Sequence, residues 1–156
     1  MILFIGVTPL LVDASGTSNS VAGAVYVLTT CVPGVSNTAV RFGGAAGLSA
    51  GGWAATANIV QVTNLALGNA PSNIFVSGGS WSNALWPSGN SFGVQNTLWN
   101  PTYNAGNVGN ALTGSAVDTQ KTIAVGGSAT VYFGLNIPTT VNANMYAQTM
   151  TIATSC

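Results

Sequence analysis

The first twelve residues of the chain, MILFIGVTPLLV, are almost all apolar and carry no charge. A polar segment, residues 13–20, separates them from the alternating patterns that follow. The run is too short for a membrane helix, which needs about 20 apolar residues, and Pro9 disfavours a helix of any kind. As an extended strand it has two mainly apolar faces, which is typical of a strand buried on both sides.

A secretion signal is the alternative interpretation of a short apolar run at the start of a chain. Such signals carry positive charge before the apolar residues, and this chain has none there. Ala14, Ser15 and Gly16 match the small residues of a cleavage site only loosely. We therefore expect residues 1–12 to be retained as an extended strand.

Charged side chains are almost absent from the 156 residues: Asp13, Arg41, Asp118 and Lys121 are the whole set. Ordinary soluble domains are about a quarter charged, so the surface must consist largely of Ser, Thr, Asn, Gln and Gly. So little charge favours association between copies. Two basic residues cannot form a patch for nucleic acid or for an anionic membrane surface.

The side chains needed for catalysis are also missing. The chain has no His or Glu, and Asp118, three residues before Lys121, fits a turn cap or a surface pair better than a general base. Cys31 has no histidine to activate it. Neither the zinc nor the calcium ligand set is present. We expect no enzymatic activity, no metal and no cofactor.

Cys31 and Cys156 are the only cysteines. A disulfide between them would close a long loop and contribute roughly 4 kcal/mol or more. The alternative is two unrelated free thiols. A disulfide would indicate an oxidising compartment or the interior of a hyperthermophile.

Four tryptophans, Trp53, Trp81, Trp86 and Trp99, permit two interpretations. Exposed rings could stack on sugars, which would make this a glycan-binding module. Burial in the core or in a subunit contact is favoured, because each aromatic side chain buries 150–250 Å². No acceptable N-glycosylation sequon occurs, since Pro101 blocks the one near match, whereas O-linked glycans remain open.

Strand patterns dominate the remainder, and no helical period persists. The clearest is Thr130–Ile137, in which Val131, Phe133 and Leu135 share one face. Met145–Ile152 follows after a polar turn, and we expect the two strands to form an antiparallel hairpin. Further strands are predicted at Val21–Leu28, Ile59–Leu67, Ile74–Val76, Phe92–Trp99, Ala111–Val117 and Lys121–Val125.

These strands predict an all-β fold, a β-sandwich of immunoglobulin-like or jelly-roll type over residues 21–156. Residues 77–114, rich in Trp, Asn, Gly and Pro, are expected to form long loops or a small inserted hairpin. Residues 1–12 would be an N-terminal donor strand and residues 13–20 a polar hinge.

A detachable apolar strand can complete the sheet of a neighbouring subunit. Burying five of its large side chains would contribute roughly 8–15 kcal/mol before entropic costs. Donor and acceptor surfaces differ, so the contact is heterologous and gives an open filament. The expected donor side chains are Ile2, Leu3, Phe4, Ile5, Val7, Leu10, Leu11 and Val12.

The apolar start and the closing segments, residues 127–138 and 145–152, resemble archaeal bundling pili and the related TasA-type biofilm-matrix fibres. The resemblance implies an extracellular, cell-surface homopolymer built by donor-strand complementation and serving adhesion or biofilm contact. A viral capsid or surface-layer jelly roll and a secreted glycan-binding module remain open. A type IV pilin is disfavoured, because its apolar helix would need some 20 residues.

Overall fold

A computed structural model of the protein describes residues 32–36, 39–43, 47–83 and 91–156. This part of the chain is all-β, and every strand pair in it is antiparallel. The strands are β1 (Pro33–Val35), β2 (Trp53–Asn64), β3 (Ser72–Gly78), β4 (Trp81–Asn83), β5 (Ser91–Phe92), β6 (Thr97–Asn100), β7 (Asn110–Ala111), β8 (Val117–Ile123), β9 (Ser128–Asn136), β10 (Tyr146–Ala147) and β11 (Met150–Ser155). One 3-10 turn, Val94–Asn96, precedes β6. The predicted donor strand, the hinge and the strand Val21–Leu28 lie outside the described residues.

The strands form three sheets. The first has five strands in the order β1-β2-β9-β6-β7, the second has the order β11-β3-β8, and the third has the order β10-β4-β5. The first and second sheets bury their inner side chains together in one core cluster, which includes Val62, Ile74 and Phe133. Two antiparallel sheets around a shared core are consistent with a β-sandwich.

A second, smaller core lies beside the first. Its buried members are Trp81, Phe92 and Leu135, and Phe42 and Tyr146 pack against it. The Trp81 and Phe92 rings are stacked with centroids 5.5 Å apart. The third and first sheets therefore meet at this point, because β4 and β5 of the third sheet supply two of these side chains and β9 of the first sheet supplies the other.

The outer face of the five-stranded sheet is covered at one place by a loop. Here β2 bulges between Ala54 and Asn58, and the buried Thr56 donates its hydroxyl hydrogen to the carbonyl oxygen of Val108 (3.0 Å). A Cβ atom added at Gly134 would lie 2.7 Å from the Thr56 hydroxyl oxygen. Glycine at 134 thus permits the close approach of β2 to β9.

The prediction for Thr130–Ile137 is confirmed as β9, with Val131, Phe133 and Leu135 buried on one face. Ile74–Val76 is the centre of β3. The strand predicted at Ile59–Leu67 begins earlier, at Trp53, and ends at Asn64. Alternation of side chains identified these strands because one face of each is buried.

The predicted hairpin between Thr130–Ile137 and Met145–Ile152 is wrong. β9 has β2 on one side and β6 on the other, so it has no free edge for a third strand. The second segment instead divides into β10, which pairs with β4, and β11, which pairs with β3. Alternation shows which face of a strand is buried and does not identify its neighbour.

The expectation for residues 77–114, long loops or a small inserted hairpin, is confirmed in part. β4 and β5 pair antiparallel, as the inserted-hairpin alternative expected. β6 lies inside the five-stranded sheet, however, with Leu98 and Trp99 buried. Aromatic residues favour strands, and in this segment that preference outweighs the surrounding turn formers.

The two ends of the sheets are named after residues that lie there, Cys156 and Asn136. At the Cys156 end lie the last residues of β2, β8 and β11 and the start of β9, where the Asn64 amide nitrogen donates to the Ile123 carbonyl oxygen (3.4 Å). At the Asn136 end lie the first residues of β2 and β11 and the last residues of β9. β11 runs from the Asn136 end to the Cys156 end.

Candidate functional site

The outer edge of β11 carries backbone groups that pair with no other strand of the described residues. Gly79 donates its backbone N–H to the Thr149 carbonyl oxygen (2.9 Å), and the β3–β11 register continues from that pair. Hydrogen-bonded pairs alternate along an antiparallel ladder. The N–H and C=O groups of Met150, Ile152 and Thr154 therefore point away from β3, and no described strand pairs with them.

The other sheet edges of the described residues are short or protected. β5, β7 and β10 have two residues each, and β1 has three and begins with Pro33. β8 is long but carries Asp118 and Lys121, two of the four charged residues of the chain. Charges, proline and brevity all discourage the addition of a further strand. β11 has six residues, no proline and no charge.

A bulge gives β8 further protection. The register with β3 shifts between Asn73 and Phe75, and Gln120 in the bulge has a φ of 58°. The Asp118 carboxylate accepts a hydrogen bond from the Gln120 backbone N–H (2.7 Å). Asp118 thus caps a backbone group, the role predicted for it, although within a strand rather than a turn.

An apolar cleft lies beside the β11 edge. It has a volume of about 480 Å³ and separates Val35 and Val60, on β1 and β2, from Met150 and Ile152 on β11. Val35 pairs with the buried Val62 and so faces inward, yet 47% of its surface is exposed. Inward-facing apolar side chains that stay exposed mark an incompletely covered core on this side.

A second cleft of about 760 Å³ continues the first toward the Asn136 end. The two clefts share Val40, Trp81 and Tyr146. The second is lined on one side by Leu135 of β9 and by Ile137 just after it, and on the other by residues 141–145 and Tyr146 of β10. Together they form a mainly apolar trench along the open side of the sheets.

Polar side chains fix the wall where the two clefts meet. The Trp81 Nε1–H donates to Thr97 Oγ1 (2.8 Å), and the Thr97 hydroxyl donates to Gln148 Oε1 (2.8 Å). Gln148 in turn donates to the Gly79 carbonyl oxygen (2.6 Å). This network joins β4, β6 and the segment between β10 and β11, so it holds Trp81 at a set position in the trench.

The three described tryptophans do not share one exposed platform. Trp81 and Trp99 are buried, at 8% and 5% exposure, whereas Trp53 is 51% exposed. Trp86 lies outside the described residues. Trp53 pairs with Asn136 at the Asn136 end, on the outer face of its sheet, away from the trench.

The described part of the chain includes one of the two cysteines. Cys156 follows β11 directly and is disulfide-bonded. Its predicted partner, Cys31, lies outside the described residues. The bond gives the β11 edge a covalent attachment at the Cys156 end.

The eight predicted donor side chains, between Ile2 and Val12, also lie outside the described residues. The sequence predicted an acceptor groove without locating it. The sequence held no signal that singled out β11, because β9 also lacks charge and proline and alternates more clearly. Residues such as Phe42 and Val141 were not predicted, since only the fold brings them to β9.

Comparison of the chain with protein-family models, with curated proteins and with solved structures finds no match. In the described ranges, no helix has the length and apolar character needed to cross a membrane. The same ranges contain no cluster of three or more His, Cys, Asp or Glu side chains that could hold a metal ion.

Proposed function

We propose that this protein is a structural subunit of an extracellular, cell-surface filament. Each subunit is a β-sandwich, of immunoglobulin-like or jelly-roll type, and donates residues 1–12 to a neighbouring copy. The donated strand completes the neighbour's β11 edge and fills its trench. The filament serves adhesion or biofilm contact, and the subunit has no catalytic role.

The observation that carries this proposal is the β11 edge beside an open apolar cleft. The backbone groups of Met150, Ile152 and Thr154, which no described strand pairs with, offer main-chain hydrogen bonds to an added strand. The cleft next to them accepts alternate side chains of that strand. Main-chain pairing for affinity and pockets for alternate side chains are the two components of β-strand addition.

The chemistry of the trench supports residues 1–12 as its occupant. The trench is mainly apolar and includes one charged side chain, that of Arg41, so a suitable strand is apolar and uncharged. Residues 1–12 have that composition. Burial of five of their large side chains contributes roughly 8–15 kcal/mol, against association costs of roughly 4–15 kcal/mol.

The near absence of charge supports a polymer. Two basic and two acidic residues leave almost no repulsion between copies. A donor segment and an acceptor trench are different surfaces, so successive contacts propagate as an open chain. The disulfide at Cys156 is compatible with an extracellular location.

The test places charge in the donor strand of the full chain. We expect Ile5→Asp combined with Val7→Asp to abolish filaments in negative-stain microscopy, because two carboxylates would be buried without partners. The matched control, Ser15→Asp with Ser18→Asp, adds the same charge to the hinge and should still assemble. Circular dichroism verifies that both variants fold.

Two results would contradict the proposal. One is normal filaments from the Ile5/Val7 variant. The other is a wild-type chain that stays monomeric at high concentration. Closed shells or two-dimensional arrays in the microscope would instead favour a capsid or surface-layer protein.

A further inference from the structure

We infer that the donor strand lies antiparallel to β11, with residues 2–7 along that strand and residues 10–12 in the second cleft, so that it leaves the acceptor at the Asn136 end. This inference rests on the proposed function and specifies the register and direction of the contact. It follows from the length of the donor segment, the position of Pro9 and the shape of the trench.

The donor segment is longer than the edge it joins. Twelve extended residues span about 40 Å, whereas the six residues of β11 span about 20 Å. About half of the donor can therefore pair with β11. The other half needs a second apolar cavity next to one end of β11.

The second cleft provides this cavity, at the Asn136 end. The second cleft begins where β11 begins, and Trp81 and Tyr146 are common to both clefts. At the opposite end, Ser155 finishes β11 and the disulfide-bonded Cys156 follows it.

Pro9 divides the donor segment at the corresponding place. Proline has no N–H to donate, so within sheets it is confined to strand ends, to bulges and to edge positions that face away from the neighbouring strand. We take Pro9 as the end of regular pairing with β11; eight residues precede it, and the apolar stretch Ile2–Val7 within them matches β11 in length. The residues after Pro9, Leu10 to Val12, are apolar and suit the second cleft.

The direction follows from this division. Residues 10–12 follow residues 2–7 in the chain, and the second cleft lies at the Asn136 end, so the donor runs from the Cys156 end to the Asn136 end. β11 runs the opposite way. The pair is antiparallel, like every other strand pair of the described structure. The donor subunit then lies beyond the Asn136 end of the acceptor.

Engineered cysteine pairs in the full chain test the arrangement. Leu11→Cys with Val141→Cys, and Leu3→Cys with Thr154→Cys, should each give ladders of covalent multimers on non-reducing gels. The exchanged pairs, Leu3→Cys with Val141→Cys and Leu11→Cys with Thr154→Cys, should stay monomeric. Peptide mapping distinguishes the new bonds from the native one at Cys156.

The outcomes separate the inference from the proposed function. Ladders only from the exchanged pairs would show a parallel donor, overturning the inference and leaving donor-strand assembly intact. Cross-links within one chain, seen as faster-migrating monomers, would contradict the proposed function itself. If a cysteine variant does not assemble, a photo-crosslinking residue at position 3 or 11 gives the same information from the location of its adduct. Adducts of position 11 at residues 150–155 would overturn the inference.

Discussion

The indole nitrogen of Trp81 lies 2.8 Å from the hydroxyl oxygen of Thr97, to which it donates a hydrogen bond, and both side chains are buried. The bond connects the third sheet to the five-stranded sheet at the junction of the two clefts. Because Thr97 also donates to Gln148 (2.8 Å), its hydroxyl is both acceptor and donor. The position of the trench wall therefore depends on one hydroxyl group.

Replacing that hydroxyl should destabilise the fold. We expect Thr97→Val to lower the free energy of unfolding by about 1–3 kcal/mol, since it leaves the buried Trp81 N–H without an acceptor. Urea denaturation followed by tryptophan fluorescence measures the change. Thr140→Val, at an exposed turn position, is the control and should shift stability by less than about 0.5 kcal/mol.

Gly134 should not tolerate a side chain. A Cβ atom there would lie 2.7 Å from the Thr56 hydroxyl oxygen and 3.0 Å from the Ala54 carbonyl oxygen, so Gly134→Ala should cost about 1–3 kcal/mol. Gly114→Ala is the matched control, because its nearest neighbour would be 4.0 Å away. Equal thermal midpoints for the two variants would contradict the packing of β2 on β9.

Gln120 occupies the left-handed region, with a φ of 58°. Gln120→Gly should raise stability by up to about 1 kcal/mol, because glycine avoids the steric cost of that conformation. Gln120→Val should lower it by about 1–2 kcal/mol. At the neighbouring Lys121 the same change to glycine should instead destabilise, by about 0.5–1 kcal/mol. Chemical denaturation of the three variants would distinguish these signs.

A proline at position 154 tests whether the β11 edge binds an added strand. Its N–H points away from β3, so Thr154→Pro should fold normally while removing one hydrogen bond to an added strand. We expect the critical concentration for filament assembly to rise about fivefold to tenfold, as the loss of one such bond implies. Thr154→Val keeps the N–H and should assemble at the wild-type concentration. A large loss of stability in the proline variant would mean that this N–H is already paired within the fold.

The disulfide prediction is checked by peptide mapping under non-reducing conditions. We expect the peptide with Cys156 to be joined to the peptide with Cys31. The double variant Cys31→Ser with Cys156→Ser should lose roughly 2–5 kcal/mol of stability, whereas Ser155→Ala should change it little. Detection of Cys31 as a free thiol in the oxidised protein would refute the pairing.

The sequence allowed prediction of those features that depend on local alternation. β9 was predicted with its buried face, because Val131, Phe133 and Leu135 repeat every second residue, and the all-β class followed from such segments. Neighbour relations were not predictable in this way. The pairing of β11 with β3 depends on which edges the other strands leave free, and that is a property of the complete sheet.

The candidate site likewise has one part that the sequence could predict and one part that it could not. An apolar donor segment was visible in the sequence because its residues are contiguous. The trench could not be, since Val35, Trp81, Leu135 and Ile152 are far apart in the chain and meet only after the sheets pack. Trp99, by contrast, was predicted to end a strand and its burial was favoured, and its ring lies in the core.

The covalent bond at Cys156 has a mechanical consequence. A strand that lies along β11 and is pulled toward the Asn136 end loads its backbone hydrogen bonds in shear, all at once rather than one by one. That tension passes to β11 and tends to slide it past β3. The disulfide one residue beyond Ser155 opposes this sliding with a covalent bond. A fibre of such subunits under stretch should therefore fail between subunits before β11 is drawn out of its sheet.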